Sequence, residues 1–325
     1  MRIGLCCMTI NMDNNLHFWI RHHLDTLKID VILLRWEVER FPTQDHDPYI
    51  PKDDRVWIVE KETVESHYNS YLSQQIRQIE FVNRCLRQYS ANLGLDYLVH
   101  LDDDELLIVH PKWHTLHSYL QQVSWRDETH LRIQNFEGVL DSTSAQDILF
   151  LKTRAFKDCS IEACRGYANG KSIAKLSSAR TCNGCHTFSG PALLSPKKDV
   201  VVLHYDSLDF EKWQQKFTRL RAISEMTFQR IPFDFYRDSI KIMSSNVEEK
   251  KKYWLDRVSA CERPLHISIN RQNQYPLHNA SYIHGPSDHT LLYSHDTSWR
   301  YREPEDHSDS DRRAKNRWIK GSWIS

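Results

Sequence analysis

Four consecutive carboxylates, Asp102, Asp103, Asp104 and Glu105, are the residues of this chain best suited to hold a charged ligand. Asp102 and Asp104 sit two apart. Just beyond a strand end, one of them can bind a metal directly while the other binds it or a ribose hydroxyl. Hard divalent cations such as Mg2+ and Mn2+ prefer carboxylate oxygens and keep water or phosphate oxygens as their remaining ligands. Adjacent carboxylates also repel one another, which favours a cation nearby. A solvated acidic turn has the same composition. Position decides between the two readings: the run directly follows the apolar segment 97–101, YLVHL, and in open α/β sheets ligands bind beyond the carboxyl ends of the strands.

The elements that must position this run are legible upstream. Residues 2–10 read as a strand buried on both faces, 15–28 as a helix, 30–36 and 56–60 as two further buried strands, and 63–92 as a long helix. Ile76, Ile79, Val82, Leu86 and Tyr89 recur at helical spacing and give that helix one apolar face. This alternation predicts an α/β fold with a doubly wound, parallel sheet flanked by helices. After the acidic run come a short strand (LLIVH), a helix over 112–123, β-like segments near 130–139 and 148–153, a loop-rich stretch over 154–199, a strand over 200–206 and amphipathic helices from Asp209 onward. The expected organisation is a catalytic domain over 1–225, helices over 226–263 packed on it, and an irregular tail over 264–325.

Composition narrows the class. Lys+Arg and Asp+Glu balance at 43 each, which speaks against bulk electrostatic capture of nucleic acid. Gly numbers only 9, and neither GxGxxG nor a Walker pattern occurs. No stretch approaches the roughly 18 apolar residues of a membrane span, and the short N-terminal apolar run does not read as a signal peptide. A soluble, cytoplasmic protein is expected, brought to any membrane-bound acceptor by a partner or a surface patch. Most of the eight cysteines are then expected to be reduced.

YLVHLDDDELLIV resembles the strand, D-x-D-E, strand centre of GT-A glycosyltransferases of the family 2-like and family 92-like groups. Thr9, Ile10 and Asn11 followed by Trp19, His22 and His23, the glutamine-rich helix around Gln75, Gln78 and Asn83, the GKSIAK segment at 170–175, and the segments holding His186 and His204 are similar too, in the same order over about residues 1–225. The resemblance implies a GT-A-type, Rossmann-like mixed sheet with a helical and irregular C-terminal extension. It also implies transfer of a sugar from a nucleotide-diphosphate donor, UDP- or GDP-linked, to a glycan, glycoprotein or glycolipid hydroxyl, with Mn2+ or Mg2+ as cofactor. On that basis Asp102 and Asp104 are the expected metal and diphosphate site, completed by His204 or, second, His186, since neutral imidazole can ligate Mn2+. Thr9, Asn11, Arg77, Asp103, Lys171 and Ser172 are the expected donor contacts. Asp158 and Glu162, in the loop-rich stretch, are the candidates for a general base.

Other chemistries share these residues. Cys159, Cys164, Cys182 and Cys185 make C-x4-C…C-x2-C, compatible with a structural Zn2+ knuckle. Cys182 to His186 matches the CxxCH of haem attachment, but as a single copy in an α/β chain. A metal-dependent phosphoesterase would use the same aspartates, although an obvious two-metal His/Asp set is missing. A non-catalytic carbohydrate-binding protein would use the ten Trp and fourteen Tyr, which are scattered as core residues are.

Overall fold

The computed structural model describes residues 1–10, 13–39, 53–64, 71–140, 148–221, 224–262, 264–267 and 290–291. Asn11 and most of the expected tail lie outside them. The first half alternates as expected. β1 (Ile3–Thr9) leads through α1 (Asn14–Arg21) and a π turn (His22–Thr26) to β2 (Val31–Glu39) and β3 (Val56–Val64). Helices α2 (Tyr71–Arg84) and α3 (Ser90–Leu93), joined by a second π turn, precede β4 (Tyr97–His100). The expected helix start at 63 moves to Tyr71 because β3 runs on to Val64. Arg35 of β2 holds it there, its guanidinium 2.7 Å from Glu60 and 2.7 Å from Glu62, which share one face of β3.

β5 (Glu105–Val109), α4 (Leu116–Gln122), β6 (His130–Ile133), β7 (Asn135–Val139), β8 (Ala155–Asp158), β9 (Lys171–Lys175), the hairpin of β10 (Cys182–Asn183) and β11 (Thr187–Phe188), β12 (Ala192–Leu194) and β13 (Val200–His204) follow. The stretch over 154–199 is mostly loop, as expected, but carries five short strands that were not. Its strands are two to five residues long and carry Lys, Asn and Thr among the apolar residues, so no apolar run announced them. Four helices come next: α5 (Phe210–Leu220), α6 (Glu225–Gln229), α7 (Asp234–Ile242) and α8 (Val247–Val258). Ile231, Phe235, Ile240, Met243, Trp254 and Val258 join the same apolar core as β1, β5 and β13. Beyond them β14 (Leu265–Ile267) pairs with β8, and β15 (Thr290–Leu291) with β14.

The strands form two sheets. The larger runs β12-β6-β9-β4-β1-β2-β3 and the second runs β15-β14-β8-β7-β13-β5. β1, β2, β3 and β4 are parallel as expected, but β9 lies antiparallel between β4 and β6. The sheet is thus mixed, as the resemblance implies, rather than the wholly parallel sheet that the alternation alone predicts. β4 ends in the larger sheet and β5 begins in the second, so the turn over 102–104 is the point where the chain steps from one sheet to the other.

Trp19, His22 and His23 of the α1 segment have a defined task. β5 pairs with β13 along one edge only. Along its other edge Trp19 Nε1 donates to the Glu105 carbonyl (2.7 Å), His22 Nε2 to the Leu107 carbonyl (2.8 Å), and the Leu107 amide to His23 Nε2 (3.3 Å). Three side chains do the work of a neighbouring strand and satisfy backbone groups that burial would otherwise leave unpaired. His23 Nδ1 donates in turn to the Trp19 carbonyl (2.8 Å), which requires a neutral ring.

This clamp predicts acid lability. Burial lowers the pKa of His22 to about 4, against a smaller upward pull from its bond to Leu107. Burial, then His22, holds His23 well below its ordinary value. The unfolded chain therefore binds protons that the folded one refuses. Stability is fully present above about pH 6.5 and falls as pH drops from there toward about 4, by up to about 1.4 kcal/mol per pH unit for each such histidine. Urea unfolding at pH 7, 6 and 5 is expected to show this slope, and His22→Gln to flatten it. An equally steep slope in that variant would rule the clamp out as its source.

Candidate active site

The turn after β4 and the end of β13 meet at one place because β13 pairs antiparallel with β5, setting His204 opposite Glu105. Asp104, His204 and Asp206 bring one ligand atom each within 4.8 Å of one another, and among the described residues this is the one such group of three. Asp104 Oδ2 lies 3.8 Å from His204 Nε2. Asp206 is 1% exposed. Its Oδ1 accepts from Lys216 Nζ of α5 (2.8 Å), while its Oδ2 is buried without a hydrogen-bond partner among the described residues. Lys216 also donates to Tyr236 Oη of α7 (2.7 Å). Burial raises the Asp206 pKa, but Lys216, then His204, outweigh this and keep the carboxylate ionised. Asp104 goes the other way: burial, with the nearby Asp206 and Asp102, holds it above the usual range despite His204 and Lys216. A divalent cation would relieve that excess of buried negative charge.

These groups line a cleft of about 1460 Å3. Its lining includes Thr9 at the end of β1, Ile10, Glu37 of β2 and Gln74, Gln75 and Gln78 of α2, and also Lys216, Arg230, Phe233 and Tyr236. Thr9 Oγ1 donates to Asp103 (2.5 Å), tying the first strand to the acidic turn.

Asp102 does not converge on the cluster of three. Lys171 Nζ sits 2.6 Å from its Oδ2, and the Gln78 amide donates to its Oδ1. Burial raises its pKa, yet Lys171, then His100, hold it well below the carboxylate range. Lys171 is 1% exposed and also lies 3.4 Å from Glu105, itself wholly buried. Glu105 Oε2 accepts from the Asp102 amide (2.8 Å), and Tyr167 Oη donates to Oε1. Lys171 and Ser172, expected as donor contacts, do not line the cleft but lie on a buried strand inside the sheet, where Lys171 supports the acidic turn and Ser172 Oγ donates to the His186 carbonyl (2.8 Å). Gly170 directly precedes the strand; its φ is +67° and a Cβ there would stand 1.8 Å from the Ile133 carbonyl oxygen, so only glycine fits.

His186 lines the cleft but stays outside the cluster. Its Nδ1 bonds the Gly170 carbonyl (3.0 Å), and its ring packs 4.2 Å from that of Tyr167. The Tyr167 ring reaches the His204 ring on its other side, at 4.8 Å. Tyr167 escaped the sequence reading because a tyrosine in a loop carries no spacing signal. Asp206 had one in principle, a His-x-Asp step leaving an apolar strand. Arg77 is engaged by Glu37 at 2.7 and 2.9 Å and does not line the cleft. Asp158 and Glu162 do not line it either: Lys197 and Ser160 hold Asp158, and Glu162 faces Cys261 and the Glu262 amide. The zinc reading is corrected. Cys159 and Cys164 are joined in a disulfide, so neither sulfur is free to ligate. Cys182 and Cys185 remain buried thiols, their pKa values pushed up to about 12 chiefly by burial.

Comparison with known proteins adds a family. The model for glycosyltransferase family 92 matches residues 44–239. No curated protein matches in sequence. Among solved structures the chain is similar to the galactosyltransferase LgtC in complex with donor and acceptor sugar analogs, at 10% identity, TM-score 0.28, covering 84% of this chain and 91% of that one. An active-site mutant of LgtC gives 10%, 0.26, 85% and 92%. A glycosyltransferase involved in glycosylation of the major capsid of PBCV-1 gives 9%, 0.25, 79% and 91%. Scores this low leave the assignment to the sequence match, which spans the acidic turn, His204, Asp206 and Lys216. The chain belongs to glycosyltransferase family 92.

Proposed function

We propose that this glycosyltransferase moves a sugar from a nucleotide-diphosphate donor, UDP- or GDP-linked, to a hydroxyl of a glycan, glycoprotein or glycolipid, with Mn2+ or Mg2+ held by Asp104, His204 and Asp206. The observation that carries this is the convergence of those three side chains, within 4.8 Å, from chain segments about a hundred residues apart. The donor set fits the group. Two carboxylates and an imidazole suit Mn2+, and the buried, unpartnered Asp206 Oδ2 is an acceptor awaiting a positive partner. A cation held there would supply the positive charge that offsets charge developing on the departing diphosphate.

The chain's own groups do the rest. Lys216 holds Asp206 by one oxygen and leaves the other without a partner among the described residues. The Tyr167 ring packs against that of His204, 4.8 Å between centroids. Among the residues lining the cleft, we assign Thr9, Asp103, Glu37 and the glutamines of α2 to the nucleoside, and Phe233 and Tyr236 to the acceptor sugar. Among the described residues no helix is long and apolar enough to cross a membrane.

The test is release of free nucleotide from a panel of UDP- and GDP-sugars. Chelation of divalent ions is expected to abolish turnover and Mn2+ to restore it. Turnover that survives full chelation removes the cation from the reading, and hydrolysis of simple phosphate esters in place of donor turnover would return the phosphoesterase.

A further inference from the structure

His204 stands between two buried glutamates. β13 pairs on one side with β5 and on the other with β7, and the register sets His204 opposite Glu105 on the first and opposite Glu137 on the second. Residues in register on neighbouring strands project from the same face. The row Glu105, His204, Glu137 is therefore built into the sheet, and both carboxylates are fully buried.

The two glutamates are committed differently. Glu105 supports the acidic turn through the Asp102 amide, Tyr167 and Lys171. Glu137 accepts the Arg165 amide at Oε2 (2.7 Å) and the Gly166 amide at Oε1 (3.0 Å). A carboxylate oxygen has room for a second donor. His204 Nδ1 lies 3.9 Å from that Oε1, and it is buried without a hydrogen-bond partner among the described residues. The other ring nitrogen, Nε2, faces Asp104. The ring has little freedom to turn elsewhere. Tyr167 covers it, and Gly166 passes so close that a Cβ there would be 3.1 Å from His204 Cε1.

We propose that Glu137 is a positioning residue for the cation site: it takes the Nδ1 proton of His204 in a hydrogen bond, which fixes the tautomer that presents the Nε2 lone pair to the ion. This deepens the cation-site reading and rests on it. The physical reason is general. An imidazole ligand has one proton and two nitrogens, and a carboxylate behind one nitrogen both orients the ring and strengthens the other as a donor. In the loaded site the 3.9 Å between Nδ1 and Oε1 must shorten to hydrogen-bond distance.

The experiment is Mn2+ titration of the full chain followed by electron paramagnetic resonance, for the wild type and for Glu137→Gln, with thermal midpoints recorded alongside. Glu137→Gln is expected to weaken Mn2+ binding about tenfold or more. A lowered midpoint with Mn2+ affinity unchanged would reduce Glu137 to a loop anchor and overturn the proposal. Wild-type protein that binds no Mn2+ overturns the cation site itself, so the two failures are distinct. If Glu137→Gln does not fold, 15N shifts of the wild-type His204 ring with Mg2+ decide. Protonated Nδ1 with bare Nε2 is expected, and the opposite tautomer sinks the proposal.

Discussion

Asp104→Asn is expected to lower sugar transfer by about 1000-fold, equivalent to about 4 kcal/mol of transition-state stabilisation, while leaving the protein folded. The substitution keeps the side chain's shape. Among the described residues Asp104 pairs with no lysine or arginine, and His204 Nε2 lies 3.8 Å from its Oδ2. What it removes is one of the three groups assigned to the cation and the charge that a bound ion would balance. Asp206→Asn is expected to match it in activity but to cost more stability, because it strips Lys216 of its carboxylate. Asp102→Asn separates the acidic run into parts. Asp102 faces Lys171 and Gln78, so its loss is expected to lower stability and leave Mn2+ affinity within a few-fold of wild type. Isothermal titration with Mn2+ on all three variants is the measurement. Equal loss of Mn2+ binding in Asp102→Asn and Asp104→Asn would mean that both aspartates ligate, and full Mn2+ binding by Asp104→Asn would remove it from the site.

Lys171→Met is expected to cost about 3–5 kcal/mol of folding stability, the range for breaking a buried ion pair from one side. Methionine replaces most of the volume, so little of this is cavity. The loss comes from Asp102 and Glu105, which Lys171 meets at 2.6 and 3.4 Å. Burial already raises the Glu105 pKa well above the ordinary value, and in the variant it can take up a proton. Asp102 is held ionised chiefly by Lys171 against burial and is the group left stranded. The double variant Lys171→Met/Asp102→Asn should therefore recover part of the stability. Urea unfolding of the two variants gives both numbers; a single-variant loss under about 1 kcal/mol would show that solvent reaches Asp102 well enough to replace the lysine.

Much of the fold's first half was legible because β1, β4 and the start of β2 are apolar runs buried in the sheet, and α2 with the π turn after it carries Phe81, Val82, Cys85 and Leu86 to the core; β3, expected as a buried strand, is instead the edge of its sheet, with Trp57 46% and Ile58 39% exposed. The short strands of residues 155–194 were not legible. β9 is flanked by Lys171 and Lys175, and its burial depends on β4 and β6 lying on either side. Charged residues inside a sheet read as loop until their partners are known. The same blindness affected the cysteines: C-x4-C spacing fits a metal knuckle and a local disulfide alike, and only proximity chose the Cys159–Cys164 bond.

For the active site the division is sharper. The sequence by itself determined that an acidic turn follows a buried strand, that a histidine ends a later one, and that their order resembles one family of sugar transferases. Only the tertiary structure decided which carboxylates share that histidine. The β13–β5 register carries Asp206 to Asp104, while a buried lysine from β9 claims Asp102. The reason is that side-chain type is local, whereas the partner that neutralises a buried charge arrives from a distant strand. Spacing along the chain cannot encode which of two aspartates it will reach.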